Sequence, residues 1–445
     1  MIFGFKKRQD DDDDDDEDDE LEEQEPKILV TFEGPYNKQE IDLETNARLV
    51  QAALLPAKEL VSDAIARRAE FLRIEIKGPA TVVAMSIDGM PFAGEKMPKQ
   101  KGQAIIQILK LLSGMDIRER TKPQAGAMSA KYEDIPYEFR LDTTIMQDGS
   151  ERLQIRLRNL KDKLYAPTDL GIPPDICTKI KAFGAEKQGL MLVAGPPRSG
   201  TTTTMYAAIR CVDAYLYNFI SIADATGREL KYLTEMKANP GESFPVTLVR
   251  VLRMESNVIF IDPLKDAETA KAIFEKQEES AFLTEVSAKD AAHAIEILIG
   301  WLEDPQHVAT MLKGVLSQKL IRKICEKCRE AYKPNASLLA KLGLPDNIKK
   351  FYRPPQEREI PEDDEEEPPI CPQCGGADYL GRVAMFEFIE MTPDMQKVIV
   401  AGGKADEIRA QARKEKMLSL QRDGLRLVVE GKTSLEELQR VFKNP

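Results

Sequence analysis

Residues 190–206 read LMLVAGPPRSGTTTTMY, and no other stretch constrains the fold of this chain as tightly. Residues 190–194 form a short continuous apolar run, the pattern of a strand buried on both faces. A turn with glycine and proline follows, and the threonines after it open a helix. Strand, glycine-containing loop and helix in that order predict a phosphate-cradling P-loop, whose pattern is G-x-x-x-x-G-K-[S/T]. Gly195, Gly200 and Thr202 fit the pattern, whereas Thr201 stands where it has lysine.

A buried parallel strand needs parallel neighbours, and the sequence supplies them. Residues 218–222 (NFISI), 257–261 (NVIFI) and 281–286 (AFLTEV) are apolar runs of strand length. The first two lead into Asp224 and Asp262. Helical stretches lie between them, notably residues 266–278. Strands alternating with helices predict a doubly wound parallel sheet with its ligand at the strands' C-terminal ends. Residues 290–303 and 309–324 read as amphipathic helices, the second running straight into Cys325. The chain is expected to end in helices at 405–417 and 419–430, with a Thr433/Glu436 capping box opening a last one.

At 445 residues the chain is too long for one core. Residues 27–160 read as a separate α/β domain. A helix interrupted at Pro56 comes first. Strands follow around Leu72, Ile74 and Ile76 and over 81–87, the latter ending in the turn pair Asp88-Gly89. A helix over 103–113 and strands through Phe139 and Leu141 and through Leu153, Ile155 and Leu157 complete it. On the last strand Arg152, Arg156 and Arg158 share one face, which is either a solvated surface or a cationic one aimed at a nucleotide. Residues 166–174 hold three prolines and read as a linker. The resulting domain boundaries are 1–26, 27–160, 166–320, 321–382 and 383–445.

The net charge of −12 misleads. Residues 10–25 carry fourteen carboxylates, and setting them and the preceding Lys6, Lys7 and Arg8 aside leaves the body close to neutral. That body has no nucleic-acid footprint. The acidic run cannot bury apolar surface and is expected to be disordered. No apolar run reaches the roughly 18 residues of a membrane span, and residues 1–8 do not form a signal peptide. Four of the six cysteines fall into two CxxC pairs, Cys325/Cys328 and Cys371/Cys374. Two such pairs predict a closed tetrahedral zinc site in a reducing compartment, hence a cytoplasmic protein with structural Zn²⁺. A proline-rich acidic stretch, 354–369, separates the pairs. His293 and His307 lack metal spacing, and Cys177 and Cys211 read as small buried residues.

In register, these segments resemble the secretion-superfamily ATPases of type II secretion and type IV pilus assembly. GLMLVAGPPRSGTTTT is similar to the Walker A segment, NFISIAD to the aspartate box, SNVIFIDPLKDAETA to Walker B, and ESAFLTEVSAKDA to the histidine box. GVLSQKLIRKICEKC and CPQCGGADYLGRVAMFEF resemble the tetracysteine zinc module, DGLRLVVEGKTSLEEL the C-terminal helices, and MDIRERTKPQAG and YEFRLD the N-terminal domain. The resemblance implies an N-terminal α/β domain followed by a RecA-like P-loop NTPase domain, a zinc-ribbon-like tetracysteine module and C-terminal helices. It also implies a homo- or hetero-oligomeric, six-membered ring at inner-membrane platform proteins, without nucleic acid. It places nucleotide on Gly195, Pro196, Pro197, Arg198, Ser199, Gly200, Thr201, Thr202 and Thr203, with Arg140 and Arg156 from the N-terminal domain, and a catalytic role on Asp224; Asp262, which departs from the family pattern, is the other candidate catalytic residue.

The departures from the family pattern sit at the chemistry. Thr201 replaces the Walker A lysine, and Pro197 and Arg198 stand for threonine and glycine. Pro263 occupies the Walker B glutamate position, with Asp262 in place of a glycine. Ala223 precedes Asp224 where glutamate is usual, Ser280 and Ser287 replace the two histidines, and Ala127 an arginine. Pro197 removes an N–H donor, and Arg198 resists a backbone angle that glycine takes freely. Three readings follow: a non-catalytic ring subunit binding ATP and Mg²⁺ weakly, a working ATPase in which Arg198 and Asp262 cover the losses, or a zinc-stabilised adaptor without nucleotide. Deletion of residues 1–25 is expected to leave the melting temperature unchanged, because an acidic run of this composition has nothing to pack; a large drop in a thermal scan would refute that.

Overall fold

The computed structural model describes residues 28–36, 40–161, 165–212, 217–222, 233–239, 241–261, 263–356 and 371–443. They form two compact units divided at Asn159, except that residues 88–90 group with the second. In the first, β1 (Thr31–Pro35), α1 (Ala47–Ala66), β2 (Ala69–Lys77), β3 (Ala80–Ile87), β4 (Met90–Pro98), α2 (Lys99–Leu112), β5 (Ala125–Tyr132), β6 (Ile135–Ile145) and β7 (Glu151–Asn159) follow one another. Their strands make one antiparallel sheet in the order β1-β5-β6-β7-β2-β3-β4. The inward residues Leu72, Ile74, Phe139, Leu141, Leu153 and Ile155 alternate along the strands and pack under α1 and α2.

Pro56 lies inside α1 and does not end it. Ala53, Ala57, Val61 and Ile65 recur every fourth residue on the buried side, so the packed stripe runs straight past the proline. That burial outweighs the single hydrogen bond a proline forfeits. The Asp88-Gly89 turn appears as expected, both residues having positive φ (51° and 77°).

The second unit contains α3 (Pro167–Leu170), α4 (Pro174–Glu186), β8 (Gly189–Gly195), α5 (Thr201–Ile209), β9 (Phe219–Ile222), β10 (Leu233–Glu235), α6 (Phe244–Leu252), β11 (Val258–Ile261), α7 (Ala267–Lys276), β12 (Ala281–Ser287), α8 (Ala291–Leu302) and α9 (Pro305–Met311). Then come β13 (Leu312–Ile324), β14 (Glu330–Tyr332), α10 (Ala336–Leu342), β15 (Phe351–Arg353), β16 (Tyr379–Glu390) and the helices α11 (Pro393–Val400), α12 (Ala405–Lys414), α13 (Leu420–Val429) and α14 (Leu435–Lys443). The main sheet runs β10-β9-β11-β12-β8-β13-β16, parallel except for the last strand. Helices α4 and α5 pack on one face, through Ile176, Ile180, Phe183 and Met205. Helices α6, α7, α8, α11 and α12 contribute to the core on the other. This is the doubly wound arrangement that the alternation of strands and helices predicts.

Three further readings are corrected. Residues 309–324 are not a helix: α9 ends at Met311, and β13 runs from Leu312 to Ile324. Its apolar spacing fits a helix as well as a strand, and pairing decides between them. β13 takes backbone hydrogen bonds from β8 on one side and β16 on the other. Gly314, a poor helix residue, lies where a Cβ would come within 2.8 Å of the Phe388 ring. The cap of α14 is offset by one residue. Ser434 Oγ accepts from the Glu437 N–H at 3.1 Å, while the Thr433 hydroxyl donates to the Arg322 carbonyl at 2.8 Å. The proposed linker at 166–174 contains α3 and the start of α4. Among the described residues no helix is long and apolar enough to cross a membrane.

One buried charge pair sits in the first unit. Lys110 is 0% exposed, and its Nζ donates to Glu151 Oε1 at 2.7 Å and to the Glu119 carbonyl at 2.7 Å. Removing one partner strands the other charge, which typically costs about 3–5 kcal/mol. Lys110→Met is therefore expected to speed amide exchange across α2 and β7 by an amount equivalent to that loss, with Lys110→Met/Glu151→Leu recovering much of it. Hydrogen exchange read by mass spectrometry tests both.

Candidate nucleotide and metal sites

β8 is buried along its whole length, with β12 and β13 parallel on either side. It delivers Gly195 to the mouth of a tight loop. The Ser199 N–H donates to the Pro196 carbonyl at 3.1 Å, closing a turn in which Pro197 and Arg198 are the exposed central residues. Arg198 has φ 68°. The arginine thus takes the left-handed conformation that glycine takes freely, at a cost of about 1–2 kcal/mol for a residue with a Cβ. Gly200 is also left-handed (φ 82°) and immediately precedes α5. A Cβ on Gly195 would lie 2.3 Å from Ser199 Oγ and 2.9 Å from the Gln318 carbonyl, so the loop closes only over glycine.

Two strands neighbouring β8 supply side chains that sequence reading missed. Gln318, on β13, donates from Nε2 to the Ser199 carbonyl at 2.6 Å and fastens the loop. Glu285, on β12 opposite Val193, accepts from the Thr202 hydroxyl at 2.9 Å. Residue 285 falls in a run read as a buried strand and as part of the histidine-box segment, with no role given to the glutamate itself. A carboxylate inside an otherwise apolar strand next to a P-loop strand was the available signal. Thr201, Thr202 and Thr203 occupy the first turn of α5 and are half-exposed. Pro263 follows β11, and the next N–H, that of Leu264, donates to the Glu285 carbonyl at 2.8 Å. Asp224 and Asp262 lie outside the described residues.

Arg140 and Arg156 belong to the first unit, directly opposite each other on β6 and β7. Arg140 Nε donates to Glu138 Oε1 at 2.8 Å, and Arg158 Nη1 reaches Glu138 Oε2 at 3.0 Å. Glu138 is buried beneath them. Part of the cationic strand face predicted from sequence is therefore partnered within its own sheet.

The four cysteines converge. Cys325 immediately follows β13, Cys328 comes next in a turn, and Cys371 and Cys374 approach from the other side, all four sulfurs lying within 4.8 Å of one another. The Cys325–Cys371 and Cys328–Cys374 separations are 3.9 and 3.7 Å. Tetrahedral thiolates about 2.3 Å from an ion stand about 3.8 Å apart, so the donor set fits a tetrahedral thiophilic metal. Backbone N–H groups of Cys374 and Gln373 lower the Cys371 thiol to about 7, whereas burial pushes Cys328 and Cys374 up. The cage is anchored to the sheet by the Cys325 N–H, which donates to the Asp378 carbonyl at 2.9 Å.

A buried parallel strand, a glycine-flanked loop and a helix with a hydroxyl in its first turn define a P-loop fold of the mixed α/β class. Residues 47–440 match the Type II/IV secretion system protein family, and the chain belongs to that family. Among relatives, it is 29% identical over 384 residues to the type IV pilus assembly ATPase PilB of Thermus thermophilus, covering 86% of this chain and 42% of that one. It is 26% identical over 388 residues to the type II secretion system protein HxcR of Pseudomonas aeruginosa, covering 86% and 76%. The chain thus spans less than half of the Thermus relative. The fold is similar to that of the ATPase DotB of Legionella pneumophila (TM-score 0.57, 13% identity, 88% of this chain and 96% of that one). It is also similar to the pilus retraction motor PilT with bound ADP (0.51, 19%, 87% and 97%).

The purified chain is expected to carry one metal ion, lost on Cys325→Ser or Cys371→Ser together with order in β14, β15 and α10. Elemental analysis finding well under one ion per chain would refute this.

Proposed function

We propose that this chain is a non-catalytic member of its family, a cytoplasmic subunit or scaffold of a secretion or pilus motor that binds Mg·ATP weakly and does not turn it over. The observation that carries this reading is the composition of the loop. The α5 N-terminus and the Thr202 hydroxyl, two of the parts that hold phosphate by geometry, are present, while Pro197 lacks an N–H and the Ser199 N–H is spent on the Pro196 carbonyl. The side chains that would act on the γ-phosphoryl are absent. Thr201 occupies the lysine position, and Arg198, the loop's only cation, projects from an exposed turn at positive φ. Pro263 cannot orient a water or take its proton. Loss of one preorganised transition-state contact typically costs about 10²–10³ in rate, and two are missing here.

In this reading residues 27–160 form the N-terminal domain, presenting Arg140 and Arg156 to nucleotide, and residues 166–320 form the P-loop domain. Residues 321–382 are a zinc module whose closed Cys325/Cys328/Cys371/Cys374 shell is structural, and residues 383–445 are the helical C-terminal region. Asp224 and Asp262 are the remaining acids near the strand ends, with Asp262 a magnesium contact rather than a base. The named activities of the relatives, pilus assembly by PilB and pilus retraction by PilT, motivate a place in a ring at an inner-membrane platform beside a competent subunit.

Steady-state hydrolysis of Mg·ATP is expected at background for the chain alone, with Thr201→Lys/Pro263→Glu improving binding before turnover. Brisk hydrolysis by the wild-type chain, abolished by Thr202→Ala, would overturn the proposal.

A further inference from the structure

Four of the six cysteines build the metal cage, and the other two meet elsewhere in the second unit. Cys177 lies near the start of α4, and Cys211 stands two residues past the end of α5. Both are half-buried rather than sealed in the core. The Cys211 S–H donates to Cys177 Sγ at 2.9 Å. Packing brings them there. Gly184 sits two turns beyond Cys177 on the same face of α4, and a Cβ on it would come within 2.5 Å of Val212 Cγ1. Helix α4 therefore rests directly on the chain leaving α5. Cys211 and Val212 are consecutive, held in a tight turn by N–H groups that donate to the Ala208 and Ile209 carbonyls at 2.9 and 3.1 Å. The approach that seats Val212 on Gly184 thus sets Cys211 against Cys177.

Two sulfurs so placed can hold a metal, pack as small apolar groups or form a bond. A metal needs further donors, and among the described residues only the cage brings three or more metal-ligating side chains together. Apolar packing leaves heavy atoms roughly 3.5–4.0 Å apart, and this pair is closer. A disulfide of about 2.05 Å is less than about 1 Å of travel away. Burial, and the Cys177 sulfur facing it, push the Cys211 thiol up, so Cys211 keeps its proton and Cys177 is the sulfur that attacks.

We propose that Cys177 and Cys211 are a redox modification site, forming a reversible disulfide with hydrogen peroxide as oxidant and stapling α4 to the far end of the helix whose first turn carries Thr202. The Cys177 thiolate attacks one peroxide oxygen. The S–O bond forms as the O–O bond breaks, and the departing hydroxide takes the Cys177 proton as water, leaving a sulfenic acid. Cys211 then gives up its proton and attacks that sulfur. The S–S bond forms, the S–O bond breaks, and the second hydroxide leaves with the Cys211 proton as water. Two thiols lose two electrons and the peroxide gains them. In a reducing compartment the pair rests as thiols and closes only under oxidant. The two residues are 34 apart, and the segment between them holds β8, the phosphate loop and α5. Closing it restrains that whole unit whether or not nucleotide binds.

The test treats the full chain with hydrogen peroxide and maps linkages by peptide mass spectrometry. A Cys177–Cys211 linked peptide is expected, reversed by dithiothreitol. Amide exchange across α4 and α5 is expected to slow at least about tenfold in the oxidised wild type and not in Cys211→Ala. Cys211→Ala is expected to leave a sulfenic acid on Cys177 that dimedone captures, whereas Cys177→Ala leaves Cys211 unlabelled. The mapping is made on wild type, so misfolding of either variant cannot hide its result. Absence of the linked peptide would overturn the proposal, as would Cys177 passing to sulfinic acid unlinked, or either residue bonding to a cage cysteine instead. A linkage that leaves exchange in α4 and α5 unchanged would remove the staple, and dimedone on Cys211 in Cys177→Ala would reverse the order of attack.

Discussion

The pairing of β8 between two parallel neighbours is the constraint from which the rest of the second unit follows. A strand buried on both faces must hydrogen-bond along both edges, and β12 and β13 satisfy it from either side. That pairing fixes more than the strand. It sets Glu285 two residues short of the loop on one side and Gln318 just past Ala194 on the other. The loop is therefore gripped by side chains whose positions the sheet register decides. β13 then continues past the loop to Cys325, so the same strand that fastens Ser199 also carries a sulfur of the metal cage. Beyond it, Arg322 pairs with the buried Glu437 at 2.7 Å and stacks on Tyr379, tying α14 to the same strand.

Much of this fold is legible in the sequence because its signals are local. The runs at 190–194, 257–261 and 281–286 are too short for helices and too apolar for loops, and each becomes a buried strand. The Asp88-Gly89 turn is read directly, since few other pairs take two positive φ angles in succession. What local pattern cannot supply is a choice settled by partners. Residues 312–324 carry apolar residues at spacings that satisfy either periodicity, and only the presence of β8 and β16 makes them a strand. Pro56 misleads for the related reason that a packed stripe overrides a local breaker.

The site divides along the same line. Gly195, Gly200 and the threonines are recognisable because a loop that wraps phosphate needs those residue types at that spacing. The two CxxC pairs are recognisable because tetrahedral coordination needs four thiolates in reach. Glu285 and Gln318 are harder to recognise, a carboxylate in an apolar strand being the one local signal; they reach the loop through sheet register, 83 and 119 residues from their partners Thr202 and Ser199. Arg198 shows the limit of propensity in another way. Its residue type argues against φ 68°, yet the Pro196–Ser199 turn and the glycine after it leave no other path from β8 to α5.

The features this loop keeps and those it lacks have different physical owners. Gly195 and Gly200 serve the fold: a Cβ at 195 would collide with Ser199 and the β13 backbone, and one at 200 would force a strained φ. They would be needed whether or not a nucleotide ever bound. The lysine and the Walker B glutamate serve only the ligand, and no strand or helix depends on them. Thr201 opens α5 as well as a lysine would, and Pro263 is tolerated because it follows β11 rather than lying within it. A chain relieved of hydrolysis can therefore shed the second group without unfolding, but not the first.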